Sequence, residues 1–248
     1  MENLTHGSLF SGIGGFDLAG ESNGFTSLFN VEIEDFPRQV LAKHFPHSQQ
    51  FKDIRDFDGT QFKDKVTVLS GGFPCQDLSI ANSKAAGIVG ERSGLWREYA
   101  RILGEIRPRF VLFENSPMLI IRGLERVLCD FYRSGYDVEW RCFYATQWGY
   151  PHGRKRLYGL AYPSGFGRSS ITPKGGILSK VVPTRKHREV GLPYTFKRFN
   201  ANSDFSNVRI DNGFSQRLDR RRLKACGNSI VVDIASDIFK AIKEVVCK

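Results

Sequence analysis

Residues 8–20 read SLFSGIGGFDLAG, which places three glycines between a short apolar segment and a segment of helical character. A short apolar segment at residues 8–10 leads through the glycines into a helical segment, so we predict a strand, a tight turn and a helix. Glycines at such a turn let the backbone approach a ligand closely. The spacing is not Gly-x-Gly-x-x-Gly, which disfavours a cradle for a pyrophosphate. The turn therefore indicates a cofactor loop without identifying the cofactor.

Short apolar runs alternate with segments of helical periodicity through the first two-thirds of the chain. This alternation predicts an α/β fold with a mostly parallel sheet and helices on both faces. Gly, Ser, Pro and basic residues then dominate, so we predict one main domain, residues 1–162 and 216–248, with a small loop-rich insert, residues 163–215. Besides residues 8–10, the predicted strands are residues 27–31, 66–69, 110–113, 138–143 and 156–161, and the predicted helices include residues 37–45, 95–106 and 230–246.

The composition favours a basic protein of a reducing compartment. Thirty-six Lys and Arg against 26 Asp and Glu leave a formal net charge of +10, which favours a polyanionic partner such as nucleic acid, although membrane-surface proteins share that balance. The five cysteines include no close pair with metal-ligand or redox spacing, so we predict no metal site. No apolar run approaches the roughly 20 residues that span a bilayer. We therefore expect a cytoplasmic protein without a membrane partner.

Acidic residues follow the glycine-rich turn at spacings that suit ligand binding. Glu32 comes directly after the strand predicted at residues 27–31, where an acid can accept hydrogen bonds from ribose hydroxyls. The alternative is a solvated acid at a helix cap. Further on, Asp53 could accept a hydrogen bond from an adenine amino group while Ile54 packs on the ring.

A cysteine lies directly beyond the strand predicted at residues 66–69, in the segment GGFPCQ of residues 71–76. Loops at the carboxyl ends of strands hold ligands in open α/β sheets. A lone cysteine is usually a small buried hydrophobic residue, but one framed by glycine and proline in such a loop is a better candidate for a nucleophile. Cys75 is therefore a candidate catalytic residue.

Basic residues are placed where they could contact a base or a phosphate backbone. Arg154 and Arg156 are two residues apart, so in an extended segment both side chains project to the same face. The alternative is a solvated basic edge. A further basic cluster with interleaved aromatic residues resembles a nucleic-acid face, and it comprises Lys186, Arg188, Lys197, Arg198, Arg209, Arg217, Arg220, Arg221 and Arg222.

These segments together resemble the DNA cytosine carbon-5 methyltransferases. Residues 73–76, FPCQ, followed by Ser79, are similar to the catalytic loop of that family. Two positions depart from the family pattern: Ser116 ends the Glu-Asn-Val block, and His152 stands where glutamine begins the Gln-x-Arg-x-Arg block. The other matching blocks, in the family's order, are residues 10–15 (cofactor loop), 31–34 (ribose), 53–54 (adenine), 113–116, 154–156 and 225–230 (the closing Gly-Asn-Ser block).

The resemblance implies a Rossmann-like S-adenosylmethionine-dependent fold and a reaction on a cytosine flipped out of double-stranded DNA. In this reaction the Cys75 thiolate would add to carbon 6, so that carbon 5 can take a methyl group. Glu114 would neutralise the charge at ring nitrogen 3, although without the resemblance it is more simply a strand-end acid. Arg154 and Arg156 would position the base and the catalytic groups.

The remaining site residues follow from the same resemblance. Cofactor binding is expected of Phe10, Ser11, Gly12, Gly14, Gly15, Glu32, Ile33, Asp53, Ile54, Gly72, Pro74, Leu95, Asn228, Ser229 and Ile230, while Trp96 could equally belong to the core. DNA binding is expected of Gln76, Ser79, Arg92, Lys197, Arg198, Arg209 and Arg217.

Other functions remain open at this point. Cytosine methylation in a structured RNA is one alternative, although the Cys-Phe-Thr triplet of the transfer-RNA branch of the family is missing. A DNA-binding protein that keeps the fold without turnover is another, and a nicotinamide-dependent oxidoreductase fits the glycine spacing poorly. We expect a monomer, and a restriction endonuclease is a candidate partner.

Overall fold

One sheet runs through the part of the chain that this computed structural model describes, which is residues 3–74, 94–166, 174–183, 225 and 229–247. Its strands are β1 (Thr5–Leu9), β2 (Thr26–Val31), β3 (Gln49–Phe51), β4 (Val68–Gly71), β5 (Phe110–Asn115), β6 (Tyr136–Tyr144) and β7 (Lys155–Pro163). The helices are α1 (Gly15–Glu21), α2 (Asp35–His44), α3 (Gly94–Ile106), α4 (Leu119–Arg122), α5 (Leu124–Arg133) and α6 (Val232–Val246). Short 3-10 helices lie at Gly59–Phe62, Ala145–Trp148 and Leu178–Lys180.

The strand order is β3-β2-β1-β4-β5-β7-β6. The pairs among β1 to β5 are parallel, whereas β7 runs antiparallel to both β5 and β6. The prediction of a mostly parallel α/β sheet is therefore confirmed. The chain proceeds outward from β1 to β3 and then returns to the other side of β1 as β4. Ligands bind outside the carboxyl ends of strands at such a reversal, so a site is expected between β1 and β4.

Helices cover both faces of the sheet, because neighbouring residues of the strands point to opposite faces. Leu112 of β5 belongs to a hydrophobic cluster with Ile238 of α6. Phe113, the next residue, belongs to a second cluster with Tyr99 of α3 and Phe131 of α5. The helices on the two faces thus bury separate halves of the core, as the sequence predicted.

Strand β1 begins three residues earlier than the prediction of residues 8–10. Thr5 and His6 are polar but buried, and each has a partner on or beside β4: Thr5 N donates to Thr67 Oγ1 over 3.1 Å, and His6 Nε2 lies 2.8 Å from Ser70 Oγ. Phe10 leaves the strand with φ of 52°. Pairing across the sheet, rather than apolar character, therefore sets the bounds of this strand.

The first part of the predicted insert packs on the main domain. Ile177, Leu178 and Val181 are buried in the same cluster as α6. Residues 167–173 and 184–215 of the predicted insert lie outside the described residues, so the domain boundaries remain a prediction. No helix in the described ranges is long and apolar enough to cross a membrane.

Candidate active site

A cleft of about 1060 Å³ opens at the carboxyl ends of β1, β2, β4 and β5. It lies at the strand reversal between β1 and β4, where an α/β sheet of this order binds ligands. Its walls come from the loops that follow these strands and from the start of β7. The lining residues include Phe10, Ser11, Gly12, Ile13, Gly15, Phe16, Glu32, Ile33, Lys52, Gly72, Phe73, Pro74, Glu114, Asn115, Ser116, Arg154, Arg156, Ser229 and Ile230.

The glycine-rich loop between β1 and α1 forms one wall. Gly14 precedes the helix with φ of 84°, and a Cβ atom there would lie 2.5 Å from the Phe45 ring. At Gly15 a Cβ atom would lie 2.7 Å from Ile230. A side chain larger than hydrogen at either position would therefore displace Phe45, Ile230 or the loop itself. Gly14 lies against Phe45 and is not among the lining residues of the cleft, whereas Gly15 lines it.

Glu32 presents a fixed carboxylate at the end of β2. Its Oε2 accepts a hydrogen bond from Gly12 N over 2.8 Å, and its Oε1 accepts one from Glu34 N over 2.8 Å. The residue is largely buried and lines the cleft. A carboxylate has about four lone-pair positions, so both oxygens can still accept hydrogen bonds from a diol such as the hydroxyls of a ribose.

Asp53 and Ile54 do not belong to the described lining of the cleft, which includes Lys52 instead. The Asp53 carboxylate accepts a hydrogen bond from Arg55, whose Nη2 lies 2.6 Å from Oδ2 of Asp53. This hydrogen bonding lowers the pKa of Asp53. Ile54 is buried in the core beside Phe57. Adenine binding by this pair stays a prediction, and it would require the Asp53 carboxylate to accept from a new donor.

Glu114, at the end of β5, meets the two predicted arginines. Nε of Arg156 lies 2.9 Å from Oε1 of Glu114, and Arg154 lies in the same wall. Within the described residues Oε1 receives no aligned hydrogen bond, so the contact is an ion pair by distance. Burial raises the pKa of Glu114 to about 7, while the charges of Arg156 and Arg154 act in the opposite direction. The carboxyl group can therefore hold or release a proton near neutral pH.

Asn115, the next residue, ties this wall to the loop that leads to Cys75. Its Nδ2 donates to the carbonyl oxygen of Phe73 over 2.9 Å, and the bond is buried. Its Oδ1 accepts from Ser116 N over 2.8 Å. The Phe73 ring is buried, and its centroid lies 4.7 Å from that of the Trp96 ring. Asn115 thus holds residues 72–74 against the end of β5, a role that the sequence analysis did not assign.

The structure brings most of the predicted cofactor and catalytic residues to one cleft. Leu95 instead packs against the core, and Trp96 belongs to that core, its Nε1 donating to Asp130 Oδ2 over 2.8 Å. His152 is exposed, and its ring lies 5.5 Å from that of Tyr150. The predicted residues outside the described ranges are Cys75, Gln76, Ser79, Arg92, Lys186, Arg188, Lys197, Arg198, Arg209, Arg217, Arg220, Arg221, Arg222 and Asn228.

The strand order defines a Rossmann-like α/β protein, and its cleft lies at the carboxyl ends of the strands, where proteins of this fold bind ligands. The model of the family described as C-5 cytosine-specific DNA methylase matches residues 4–197. The match covers more than half of the 248 residues, and the chain belongs to this family.

Individual relatives agree with this membership. The Type II methyltransferase M.NgoBI of Neisseria gonorrhoeae is 35% identical over 154 residues, which are 60% of this chain and 48% of that protein. The chain therefore spans about half of the length of this relative. The structure of the Entamoeba histolytica methyltransferase EhMeth has a TM-score of 0.67 at 16% identity and covers 99% of both chains. The Schizosaccharomyces pombe Dnmt2 methyltransferase has a TM-score of 0.60 at 22% identity, over 76% of this chain and 58% of that one. Both structural matches show the same fold.

Proposed function

We propose that this chain transfers a methyl group from S-adenosylmethionine to carbon 5 of cytosine in double-stranded DNA. The observation that carries the proposal is the buried Glu114, with a pKa raised to about 7, beside two arginines and next to the residue that anchors the loop before Cys75. A carboxyl group that is still partly protonated at neutral pH is the acid that this reaction needs.

The cleft has the groups that S-adenosylmethionine would require. Glu32 would accept from the ribose hydroxyls, since backbone amides already fix its carboxylate. Phe10 and Ile33 offer apolar surface for the adenine, and Ile33 is 52% exposed. The backbone of the loop at residues 12–15 would approach the amino-acid portion. When bound, the cofactor would supply an electrophilic methyl group on a sulfonium.

The residues of the chain would then perform the steps on the cytosine. The Cys75 thiolate would add to carbon 6 of the flipped base, and the ring electrons would move toward nitrogen 3. Glu114 would give its proton to nitrogen 3, which leaves an enamine whose carbon 5 is nucleophilic. After methyl transfer, loss of the carbon 5 proton to solvent, release of the Cys75 sulfur as a thiolate and return of the nitrogen 3 proton to Glu114 would restore the aromatic ring.

The arginine pair supports the same proton transfer. Once Glu114 has donated its proton, it becomes a buried anion, and a buried anion is costly unless a positive charge is close. Arg156, at 2.9 Å, supplies that charge. The pair thus tolerates both protonation states of Glu114, which an acid needs in order to donate and recover a proton.

The setting of this activity follows from the relatives and the composition. The net charge of +10 suits a DNA partner, and several relatives are named Type II methyltransferases. We propose that the protein works as a monomer in the cytoplasm and that a restriction endonuclease is its candidate partner.

The decisive experiment compares Cys75→Ala with Cys129→Ala in the full chain. Cys129 is an exposed cysteine on α5, so its substitution controls for loss of a thiol. Labelled cofactor is supplied with duplex DNA and with structured RNA in separate reactions. We expect labelling of DNA by the wild type and by Cys129→Ala, and none by Cys75→Ala although it still binds the cofactor. Labelling of RNA alone would support structured RNA as the substrate in place of DNA. Normal methyl transfer by Cys75→Ala would disprove the proposed chemistry.

A further inference from the structure

A chain of buried polar side chains lies beneath the cofactor loop. Val31 N, at the end of β2, donates to Ser11 Oγ over 3.1 Å. Ser11 Oγ lies 2.7 Å from Ser8 Oγ, and Ser8 Oγ donates to the Asp17 carboxyl oxygens over 2.9 and 3.0 Å. Ser8 and Asp17 are 0% exposed. This series of hydrogen bonds therefore connects β2, the loop after β1 and α1, and its members Ser8 and Asp17 have no contact with solvent.

The hydroxyl proton of Ser8 can be assigned to its bond with Asp17. A serine hydroxyl carries a single proton, so the Ser8 proton that goes to Asp17 is not available to Ser11. The Ser11 hydroxyl can donate to Ser8 Oγ, to Ser8 O over 3.1 Å or to Val31 O over 3.2 Å, and Ser11 Oγ accepts from the Val31 amide. Asp17 is the terminal acceptor of this series, and its removal leaves the Ser8 hydroxyl without its acceptor.

His6 does not replace Asp17 as the last partner in this series of hydrogen bonds. His6 Nδ1 is 3.8 Å from Asp17 Oδ1, which exceeds hydrogen-bond distance, and its Nε2 faces Ser70 Oγ at 2.8 Å. Burial lowers the pKa of His6 to about 3, so the ring is neutral. Burial also raises the pKa of Asp17 to about 7, but either form of the carboxyl group retains an oxygen that accepts from Ser8.

The cofactor loop needs such a support because its backbone is strained. Phe10 has φ of 52° and Gly12 has φ of 56°, and a residue other than glycine is disfavoured in this region. Ser11 lies between them, and its backbone N donates to Val31 O over 3.1 Å. A strained turn persists only when its neighbours fix it. The bonds that Ser11 makes with Val31 and Ser8 connect the turn to its neighbours, and Ser11 also lines the cleft.

We infer that Asp17, acting through Ser8 and Ser11, is a positioning residue that holds the cofactor loop in the conformation that binds S-adenosylmethionine. The inference rests on the proposed function, since it concerns the same cofactor. Asp17 does not itself line the cleft, whereas its neighbours in residues 10–13, 15 and 16 do. Its effect is therefore expected on cofactor affinity rather than on the chemical step.

The test is a double-mutant cycle on cofactor binding, measured by calorimetry on the full chain. Asp17→Ala and Ser11→Ala should each raise the Kd for S-adenosylmethionine about tenfold, because each breaks the same series of bonds. The double variant should also stay near tenfold, whereas independent effects would multiply to about a hundredfold. Asp17→Asn should recover most of the affinity, since its amide oxygen accepts from Ser8. At saturating cofactor and DNA, kcat should change much less than Kd.

Glu21→Ala is the matched control, because Glu21 ends the same helix and pairs with His47 on the surface. Thermal unfolding identifies any variant that does not fold, and Ser8→Ala then replaces Asp17→Ala in the cycle. A wild-type chain that binds no S-adenosylmethionine would overturn the proposed function together with this inference. Wild-type binding with multiplicative effects, or with Asp17→Ala equal to Glu21→Ala, would overturn the inference alone.

Discussion

Arg156 places its Nε atom 2.9 Å from Oε1 of Glu114, and yet burial leaves the pKa of Glu114 raised, at about 7. An arginine at this distance usually lowers the pKa of a carboxyl group. Here the loss of hydration outweighs the attraction of Arg156. The carboxyl group is therefore partly protonated at neutral pH, and Arg156 is placed to stabilise its anion.

The first prediction concerns the pH dependence of methylation. If the protonated form of Glu114 is the active one, its titration should give kcat/KM a decline at alkaline pH that approaches tenfold per pH unit above about 7. Glu114→Gln carries no titrating proton, so its rate should be about 10²- to 10⁴-fold lower and should lack this alkaline decline. Initial rates with duplex DNA between pH 5.5 and 9 measure both. An unchanged alkaline limb in the variant would assign the titration to another group.

A second prediction follows from the direction in which Arg156 shifts the pKa of Glu114. Because the charge of Arg156 lowers the pKa of Glu114, Arg156→Gln should raise that pKa further and move the alkaline limb to higher pH. The rate should also fall, since the buried anion loses its counter-charge.

Lys155→Gln is the matched control for this prediction. Lys155 neighbours Arg156 on β7 but lies over the Tyr144 ring at 5.0 Å, so its removal should leave the limb in place. A shift of the limb to lower pH in Arg156→Gln would contradict the assigned role.

The third prediction tests the anchor between β5 and the loop before Cys75. Asn115→Ala should reduce the free energy of unfolding by about 1–3 kcal/mol, because the carbonyl of Phe73 loses a buried donor. Methylation should fall more than cofactor affinity does, because this loop carries the nucleophile.

Asn23→Ala serves as the comparison for Asn115. Asn23 Nδ2 donates to Ala19 O over 2.8 Å and to Ser236 Oγ over 2.9 Å, which joins α1 to α6. Its loss should lower stability without a specific loss of methylation. Equal loss of rate at equal stability in both variants would show that Asn115 has only a structural role.

The site residues that could be predicted from the sequence are those set by local spacing. Glu32 follows its strand directly, and Arg154 and Arg156 share a face because side chains alternate along an extended segment. Both features are recovered in the lining of the cleft. Local periodicity is enough here because each residue is placed by its own strand.

Features that depend on distant pairing could not be predicted in the same way. Apolar periodicity carries no information on strand direction, so the antiparallel β7, which places Tyr158 opposite Glu114, was not anticipated. Asn115 contacts a carbonyl 42 residues away. The sequence alone does not indicate that Asp17 is buried, and only the fold shows that Ser8 meets it in the core.

The last prediction concerns Gly176, where the segment at residues 174–183 joins the main domain. Glu139 of β6 accepts hydrogen bonds from Ile177 N over 2.8 Å and from Leu178 N over 3.2 Å. A Cβ atom on Gly176 would lie 2.0 Å from Oε2 of Glu139, so Gly176→Ala must displace this carboxylate or the segment.

Gly175→Ala provides a control with the same backbone strain. Both glycines have φ of 86°, but at Gly175 the nearest atom to an added Cβ, in Ser179, is 3.4 Å away. Gly175→Ala should therefore cost only the strain of a positive φ, about 1–2 kcal/mol. Gly176→Ala should cost a further 1–3 kcal/mol or so, because the hydrogen bonds of Glu139 are also lost. Denaturant unfolding of the two variants measures the difference, and equal stabilities would show that Glu139 does not hold this segment.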